Sequence, residues 1–517
     1  MNGADALLAT LRANDVTTIF TNPGTTEIHL VAALDHVPEV QGILCLFEGV
    51  ATGAADGYAR VTGRAAATLL HLGPGLANGW ANLHNARRAR TPILNIVGDH
   101  PDFHRLLDPP LNSNIAALAG ALEGWHHRFT GPNDVAAGTA AALDAAYGPP
   151  GQIATLILGS DVAWGEVSGA TGAWPVAPVH GATAPSGGEI ARSLTALRTK
   201  RTALFVGGTA ATAEQLALAQ RIAGATSSRV IMETFPAIFD HGAGVVSPER
   251  LIYLSDFAVA QLRDLDAIIL LGTTRPVPPF AYEAGPNSLV AENCEVIELA
   301  PPGIDTLAAL NALLEGTGAS PLTMESGELL APPTGVLNAQ SVAAAIAATI
   351  PEGLIISDES LTSGLHLYAA TQSAPPHRVM SLTGHSIGFG LPAALGAAYA
   401  SRQRVLALEA DGSMMYTLQA LWTMARESLD VTVVALANRS YAVVDLELRR
   451  VQSVTGLASQ RLIDLDDPAI DLTALARAQG VPSVRVTTAD ELVDALRRSY
   501  ATPGPMFIEA VLPKGLG

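Results

Sequence analysis

The sequence contains very little cysteine. Only Cys45 and Cys294 occur among its 517 residues, and they lack the CxxC spacing of metal-binding and redox motifs. Both lie in apolar, strand-like runs, ILCLF and ENCEVIEL. We therefore expect two buried free thiols in a reducing compartment, which excludes a scaffold held together by disulfides.

Positive charge and long apolar runs are also scarce. Lys and Arg number 30 against 48 Asp and Glu, which gives a formal net charge of −18. A surface of this sign repels phosphate backbones and anionic membranes, so neither nucleic acid nor a membrane is expected as a partner. No uninterrupted apolar run reaches the roughly 20 residues of a membrane-spanning helix. The N-terminus also lacks the basic and apolar blocks of a signal peptide, and these absences together predict a soluble, cytoplasmic protein.

The sequence does contain a repeated alternation of apolar strands and amphipathic helices. TTIFTN precedes EIHLVAALDHV, for example, and ILCLF precedes ATGAADGYARV. This alternation predicts parallel sheets with helices on both faces. Two stretches rich in Gly, Pro, Ser and Thr, 165–190 and 315–338, interrupt it and are typical of linkers. The predicted fold class is α/β, with three doubly wound domains at residues 1–165, 185–318 and 338–517.

Polar residues directly follow several apolar strands in the first and last thirds. They are the NPGT run at 22–25, Glu48 and His71, and then Asp411 and Asn438. In doubly wound sheets, ligands bind beyond the carboxyl ends of the strands. The middle third has one comparable point, the turn at Gly207 and Gly208, and a lone Gly-Gly turn is more often an ordinary tight connection.

Asp411 and Asn438 end successive strands of the last third and suggest a site for Mg²⁺. Asp411 would supply a carboxylate, Asn438 an amide oxygen and Ser440 a backbone carbonyl, which are ligands that Mg²⁺ prefers. Adjacent parallel strands lie about 4.8 Å apart, so their ends can reach one ion. A helix expected to begin near Met414, after Gly412 and Ser413, would leave room for a diphosphate at its positive end.

These motifs resemble those of thiamine-diphosphate (ThDP) enzymes. ADGS and NRSY, with the 25 residues 413–437 between Gly412 and Asn438, are similar to the family's metal and diphosphate motif, and Ala410 replaces its first Gly. NPGTTE, FEGVATGAADGYAR, HLGPGLANG and GHSIGFGLPAALGAA also resemble, in order and spacing, benzoylformate decarboxylase and acetolactate synthase. The resemblance spans nearly the whole chain. It implies a pyrimidine-binding first domain, a middle domain and a diphosphate-binding last domain, with ThDP and Mg²⁺ as cofactors.

The resemblance also implies a role for particular residues. Glu48 would bind the far nitrogen of the cofactor's pyrimidine ring, His71 would relay protons, and Thr25 would bind the substrate. Ile387 would support the bent form of the cofactor. The other cofactor-binding residues would be Pro23, Gly24, Ser360, Thr362, His385, Gly412, Ser413 and Tyr441. Each also has an ordinary structural explanation, such as a helix-start glutamate for Glu48, a core position for Ile387 and a helix cap for Ser360.

Two reactions fit this pattern. NPGT and His71 favour a 2-oxo-acid decarboxylase with carboligase activity. The second catalytic histidine of benzoylformate decarboxylase has no match in TRPVPPFAYEAG, where Phe280 and Tyr282 fall nearby, and this keeps carboligation open. The overall pattern also fits a transferase similar to acetolactate synthase, whose relatives bind FAD in the middle domain. The segment GGTAATAEQ is compatible with FAD, although we do not expect that cofactor.

Other functional classes fit less well. A dinucleotide-dependent dehydrogenase needs GxGxxG after a strand, and GPGLANG does not have that spacing. A catalytically silent member would have no physical need to keep Glu48, Asp411 and Asn438. The resemblance further implies a homodimer or homotetramer with active sites shared between subunits. The partners would be a small 2-oxo acid and an aldehyde acceptor.

Overall fold

The computed structural model describes residues 1–168, 174–178, 180–283, 285–322, 327–451 and 456–515. The chain divides into two compact units. The large unit comprises residues 1–179, 330–370 and 382–517, and the small unit comprises residues 180–329 and 371–381. Across the described ranges, no helix is both long enough and apolar enough to cross a membrane.

The first sheet of the large unit has six parallel strands. They are β1 (Thr18–Asn22), β2 (Gln41–Leu44), β3 (Ala66–Leu70), β4 (Ile93–Asp99), β5 (Trp125–Arg128) and β6 (Ile153–Gly159), in the order β2-β1-β3-β4-β6-β5. The helices are α1 (Gly3–Ala13), α2 (Ile28–Ala33), α3 (Glu48–Thr62), α4 (Leu72–Ala89), α5 (Asp102–Arg105), α6 (Ile115–Gly120), α7 (Val135–Tyr147) and α8 (Ser160–Trp164). Every residue of β3, β4 and β6 is buried, as expected for parallel strands covered on both faces.

The small unit contains a five-stranded parallel sheet. Its strands are β7 (Thr202–Val206), β8 (Arg229–Met232), β10 (Glu249–Arg250), β11 (Ala267–Leu271) and β12 (Glu295–Ala300), in the order β10-β8-β7-β11-β12. Its helices are α9 (Gly187–Thr199), α10 (Ala213–Thr226), α11 (Ser255–Leu262) and α12 (Thr306–Thr317). The remaining strand, β9 (Ile238–His241), lies outside this sheet.

The last third of the chain contributes six further strands. Its strands are β13 (Ile355–Glu359), β14 (His377–Ser381), β15 (Val405–Ala410), β16 (Val431–Ala437), β17 (Ser483–Val486) and β18 (Met506–Val511). In the large unit the order is β17-β18-β16-β15-β13, all parallel where paired, whereas β14 belongs to the small unit and pairs antiparallel with β9. The helices are α13 (Ala339–Ala347), α14 (Leu367–Ala370), α15 (Gly390–Ser401), α16 (Asp411–Met414), α17 (Ala420–Arg426), α18 (Ala442–Val451), α19 (Leu457–Gln460), α20 (Leu472–Ala478) and α21 (Ala489–Ala501).

These sheets confirm the predicted α/β class built on parallel sheets. The three domain boundaries remain a prediction, and residues 169–173, 179 and 323–326 of the predicted linkers lie outside the described residues. Helix α9 begins inside the first predicted linker, because the side chain of Ser186 caps it by accepting a hydrogen bond from the Glu189 amide at 3.1 Å.

Two local predictions were wrong. The single helix expected to begin near Met414 is two short helices, α16 and α17, separated by a turn in which the Thr417 hydroxyl donates to the Gly388 carbonyl at 3.0 Å. The strand predicted from ILCLF ends at Leu44, and Glu48 instead begins α3. The sequence around Met414 gives no sign of this turn, because the partner of Thr417 lies 29 residues away along the chain.

Helices α3 and α15 cross at close range within the large unit. A Cβ atom at Gly57 would lie 2.1 Å from the Ala393 carbonyl oxygen, and one at Gly396 would lie 1.8 Å from the Ala54 carbonyl oxygen. Only glycine fits at both positions, so the two backbones touch directly. This crossing places the helix that begins with Glu48 against the helix that follows the HSIGFG segment.

Candidate active site

A hydrogen-bonded cluster lies at the carboxyl ends of β1 and β3, which are neighbours in the first sheet. His71 follows β3, and its Nδ1 atom lies 2.8 Å from Glu27 Oε2. The same oxygen accepts from the Gly24 amide at 2.9 Å, and the Thr26 hydroxyl donates to Oε1 at 2.5 Å. With Nδ1 donating to the carboxylate, Nε2 is the proton acceptor of a neutral imidazole.

Glu27 is held in place by a third strand. It is 2% exposed, and a Cβ atom at Gly98, near the end of β4, would lie 1.7 Å from its Oε1 atom. Glycine at position 98 therefore leaves the space that the carboxylate occupies. The buried carboxylate of Glu27 thus fixes the ring of His71, whose side chain is 25% exposed.

A hydroxyl beside His71 belongs to Thr26, the neighbour of the predicted substrate ligand Thr25. Thr25 is exposed, whereas the Thr26 hydroxyl lies 3.4 Å from His71 Nδ1. Thr26 and Glu27 were missed, although the three-residue spacing from Gly24 to Glu27 is typical of a capping interaction. Of the predicted neighbours, Pro23 is exposed and Gly24 is half-buried.

Glu48 is the first residue of α3 and is 7% exposed. Its Oε2 atom accepts a hydrogen bond from Asn78 Nδ2, on α4, at 3.1 Å. The N-terminal end of a helix favours a carboxylate. The glutamate predicted to bind the cofactor's pyrimidine is thus buried and held on one oxygen by an asparagine that follows His71 by two helical turns.

The predicted metal ligands lie side by side. Ala410 pairs with Leu436 at the ends of β15 and β16, so Asp411 and Asn438 emerge from neighbouring strands. Asp411 Oδ2 accepts from the Arg439 amide at 2.6 Å, and Asn438 Oδ1 accepts from the Ser440 amide at 3.1 Å. Burial raises the pKa of Asp411 to about 6.

This donor set fits Mg²⁺. It offers a carboxylate from Asp411, an amide oxygen from Asn438 and the carbonyl of Ser440, and each retains a lone pair because it accepts few hydrogen bonds. Among the described residues, no group of three or more His, Cys, Asp or Glu side chains could hold a metal ion.

Tyr441 packs against the turn that follows Asp411. The ring of Tyr441 lies over Gly412, where a Cβ atom would be 2.4 Å from Tyr441 Cε1, and Ser413 is buried. Burial raises the pKa of the Tyr441 phenol. Ala410 has an ordinary extended backbone, with φ −75° and ψ 140°, so its methyl group does not strain the strand end.

The HSIGFG segment forms a loop before α15, which we call the Ile387 loop (384–390). Ile387 is half-buried, and His385 is exposed and has a left-handed backbone with φ +60°. The buried Glu359, at the end of β13, accepts from the Gly388 amide at 2.7 Å and from the Gly390 amide at 2.6 Å. One carboxylate therefore anchors the loop on both sides of Phe389.

A second buried carboxyl group lies beside Glu359. Glu409 pairs with it in register across β13 and β15 and is 0% exposed. Neither carboxyl oxygen of Glu409 has a hydrogen-bond partner among the described residues. Burial raises the pKa of Glu359 to about 7, and burial together with repulsion from Glu359 raises that of Glu409 well above its usual value. This pair therefore retains a proton at neutral pH.

The predicted hydroxyl ligands after β13 are placed differently from each other. Ser360 is 2% exposed, and its hydroxyl donates to the Asp358 carboxylate rather than capping the following turn. Thr362 is half-buried within the 3-10 turn Leu361–Gly364. Of the two, the Thr362 hydroxyl is the one that the described contacts leave available to a ligand.

The Gly-Gly turn of the small unit is filled by a carboxylate. The Gly208 amide donates to Glu233 Oε1 at 2.8 Å, and the Thr273 hydroxyl donates to Oε2 at 2.6 Å. A Cβ atom at Gly207 would lie 2.2 Å from the same carboxylate. The Gly208 amide, a group that could otherwise bind a phosphate, therefore already has a hydrogen-bond partner.

Comparison with known proteins places the chain in a family. A family model described as "Thiamine pyrophosphate enzyme, N-terminal TPP binding domain" matches residues 1–114, and one described as the C-terminal TPP binding domain matches residues 362–510. A Mycobacterium tuberculosis protein, IlvX, provisionally named an acetolactate synthase large subunit, is 47% identical over 523 residues, covering 100% of both chains.

Two more distant relatives carry decarboxylase names. Benzoylformate decarboxylase of Pseudomonas aeruginosa is 28% identical over 531 residues, covering 96% of each chain. The solved structure of a ThDP-dependent 4-hydroxybenzoylformate decarboxylase of Rhodococcus jostii has the same fold, with a TM-score of 0.83, 22% identity and 100% coverage of both chains. The chain therefore belongs to the thiamine pyrophosphate enzymes, as a ThDP-dependent enzyme of the decarboxylase and acetolactate synthase type.

Proposed function

We propose that this protein is a ThDP- and Mg²⁺-dependent 2-oxo-acid decarboxylase, similar to benzoylformate decarboxylase, that also joins carbonyl compounds. The observation that carries this proposal is the 2.8 Å contact between His71 and the buried Glu27. A carboxylate that holds one ring nitrogen leaves the other nitrogen poised to accept and return a proton. Decarboxylation followed by proton delivery needs such a group.

The residues that would hold the cofactors come from both sheets of the large unit. Asp411, Asn438 and the Ser440 carbonyl would bind Mg²⁺, and Gly412, Ser413, Thr362 and Tyr441 lie close to them in sequence or space. Ser360, Pro23, Gly24 and the His385 carbonyl complete the proposed set. When bound, ThDP supplies a carbon nucleophile that also accepts the electrons released with carbon dioxide.

The chain's own residues would orient groups and move protons. Glu48 keeps one oxygen on Asn78. Its other oxygen would bind the cofactor's pyrimidine nitrogen and exchange a proton with it. His71 would accept or return a proton at Nε2, beside the substrate. Ile387 would fill the space under the bent cofactor. Thr26 and its neighbour Thr25 carry hydroxyls that would bind a substrate lying against His71.

A transferase that joins two 2-oxo acids is the second candidate. It is supported by the 47% identical relative IlvX, which carries the provisional name acetolactate synthase large subunit. It is also supported by the segment 274–285, which has no histidine that could protonate the product of decarboxylation quickly. Slow protonation leaves time for attack on a second carbonyl compound.

The deciding experiment is product analysis by NMR. The protein is incubated with ThDP and Mg²⁺ and with either benzoylformate or pyruvate, alongside a reaction without Mg²⁺ and the isosteric variant Glu48→Gln. Metal-dependent benzaldehyde that disappears in Glu48→Gln supports the decarboxylase. Acetolactate from pyruvate instead supports the transferase. Turnover of neither compound, with ThDP demonstrably bound, rejects both substrate assignments and leaves a catalytically silent or differently specific member.

We also propose a homodimer or homotetramer whose active sites are shared between subunits. Large apolar side chains flank the candidate cofactor loops and are exposed in the single chain, which supports an apolar partner surface. They are Leu46, Leu361, Leu365, Tyr416, Leu457 and Leu462. The free, buried thiols of Cys45 and Cys294 support a reducing, cytoplasmic location. The filled Gly207-Gly208 turn supports a protein without FAD.

A further inference from the structure

Three asparagines lie along one face of α4, the helix that follows His71. Asn78, Asn82 and Asn85 are spaced by four and three residues, so their side chains lie on the same side of the helix. Asn82 is 2% exposed and Asn85 is 0% exposed. Burying an amide without hydrogen-bond partners lowers the stability of the fold. The partners of Asn82 and Asn85 therefore indicate the role of these two side chains.

Asn82 joins two backbone segments that each follow a proposed cofactor residue. Its Nδ2 atom donates to the Gly49 carbonyl at 2.9 Å and to the Gly388 carbonyl at 3.0 Å. Gly49 follows Glu48, and Gly388 follows Ile387. Because both partners are carbonyl oxygens, which only accept, both amide protons of Asn82 are used.

Asn85 holds the preceding part of the Ile387 loop. Its Nδ2 atom donates to the Ser386 carbonyl at 2.8 Å, and its Oδ1 atom accepts from the Ser386 amide at 3.2 Å. The Thr383 hydroxyl donates to the Asn85 carbonyl at 2.8 Å. Asn85 Nδ2 also donates to Asn82 Oδ1 at 3.0 Å, so the two asparagines support each other.

The opposite side of the loop is also fixed. Gly388 donates its amide to Glu359, and its carbonyl accepts from both Asn82 and Thr417. The close crossing of α3 and α15 already supplies the packing contact between these parts of the chain. The asparagine bonds are therefore not needed to hold α3 and α15 together. They fix the orientation of the backbone at the residues next to Glu48 and Ile387.

We propose that Asn82, supported by Asn85, is a positioning residue that sets the Ile387 loop relative to the start of the Glu48 helix. The proposal rests on the proposed use of ThDP at these two residues. Within each chain, Glu48 and Ile387 keep a fixed position relative to each other. This holds whether the two residues serve the same active site or two sites shared between subunits. Loss of the Asn82 amide lets the two segments shift relative to each other and lowers the affinity for ThDP.

The test compares Asn82→Ala with Asn95→Ala. Asn95 is an equally buried amide in β4 that bonds to the hydroxyls of Thr68 and Thr155, away from the proposed site. Three quantities are measured for wild type and both variants. They are the thermal midpoint, the ThDP dissociation constant from tryptophan fluorescence in saturating Mg²⁺, and the rate at which bound ThDP exchanges its C2 proton with D₂O.

We expect both variants to melt at lower temperature, but only Asn82→Ala to raise the ThDP dissociation constant, by about tenfold or more, and to slow proton exchange at saturating ThDP. Unchanged binding and exchange in Asn82→Ala overturns the proposal. Equal weakening in Asn95→Ala also overturns it, because the effect is then a general softening. If Asn82→Ala does not fold, Asn82→Ser, which keeps one shorter donor, is judged by the same criteria. Failure of wild type to bind ThDP overturns the proposed function itself and is thereby distinguished from failure of this inference.

Discussion

At the scale of single residues, Glu27 shows how much of the site depends on a side chain that sequence reasoning passed over. Its carboxylate lies against His71, the Gly24 amide and the Thr26 hydroxyl, and it fits only because residue 98 is glycine. A carboxylate oxygen only accepts hydrogen bonds, so the ring nitrogen that faces it must donate a proton. It can therefore fix which nitrogen of His71 carries the proton.

The variant Glu27→Gln tests this dependence. The amide has the same size but can donate to Nδ1, which would put the proton of His71 on the wrong nitrogen. We expect kcat for benzoylformate to fall by about 10²–10⁴ while ThDP affinity is unchanged. The exposed substitution Glu39→Gln is the control and should leave both quantities as in wild type. A Glu27→Gln enzyme with wild-type kcat would show that the tautomer of His71 does not matter.

The role of a residue could be predicted when the neighbouring sequence indicated its chemistry. Asp411 and Asn438 each follow an apolar strand, and the structure brings them together as expected. Asn82 and Glu359 were not predictable, because their partners at Gly388 are 306 and 29 residues away along the chain. The sequence near either residue does not indicate so distant a partner.

At the scale of elements, the candidate loops share a backbone feature. Leu72, Leu361, His385 and Arg439 each adjoin or coincide with a proposed site residue, and each has a left-handed backbone with φ between +49° and +60°. Non-glycine residues in this region cost about 1 kcal/mol or more, and they concentrate at functional sites. The strands were predictable from their apolar runs, whereas these loop conformations depend on bonds formed only after the sheets pack.

His385 allows this backbone strain to be measured. We expect His385→Gly to be more stable than His385→Val by about 1 kcal/mol, because glycine adopts positive φ readily and a β-branched residue does not. Both substitutions remove the imidazole, so the loss of the ring cancels in their difference. The free energy of unfolding from urea titrations of the cofactor-free protein gives the comparison. Equal stability of the two variants would mean that the loop can leave the left-handed conformation at no cost.

At the scale of the whole molecule, the question is how many chains make one active site. Parallel sheets could be predicted from the alternation of strands and helices, and the structure confirms them. Assembly could only be inferred from resemblance, because an apolar side chain such as Leu457 looks the same in sequence whether it packs inside the chain or against another. The proposal of a shared site therefore rests on the exposed apolar side chains beside the candidate cofactor loops as well as on the resemblance.

Mixing two inactive variants tests the shared site. Glu48→Gln and Asp411→Ala each damage a different half of the proposed site. If the halves come from different subunits, mixed dimers regain one intact site, and random exchange restores about a quarter of wild-type activity. Activity is assayed after subunit exchange has been verified with differently tagged chains. Mixed dimers without activity would place both halves in one chain.

The buried pair of Glu359 and Glu409 has a consequence for the heat of unfolding. Both side chains have a raised pKa in the folded chain, that of Glu359 rising from 4.5 to about 7, so a proton held at neutral pH is released when the chain unfolds. The free energy of unfolding accordingly falls as pH rises from about 4.5 towards 7 through this pair. Each released proton is taken up by the buffer, whose own ionisation heat then becomes part of the measured enthalpy. The unfolding enthalpy of this protein thus depends on the chemical identity of the solution as well as on its pH.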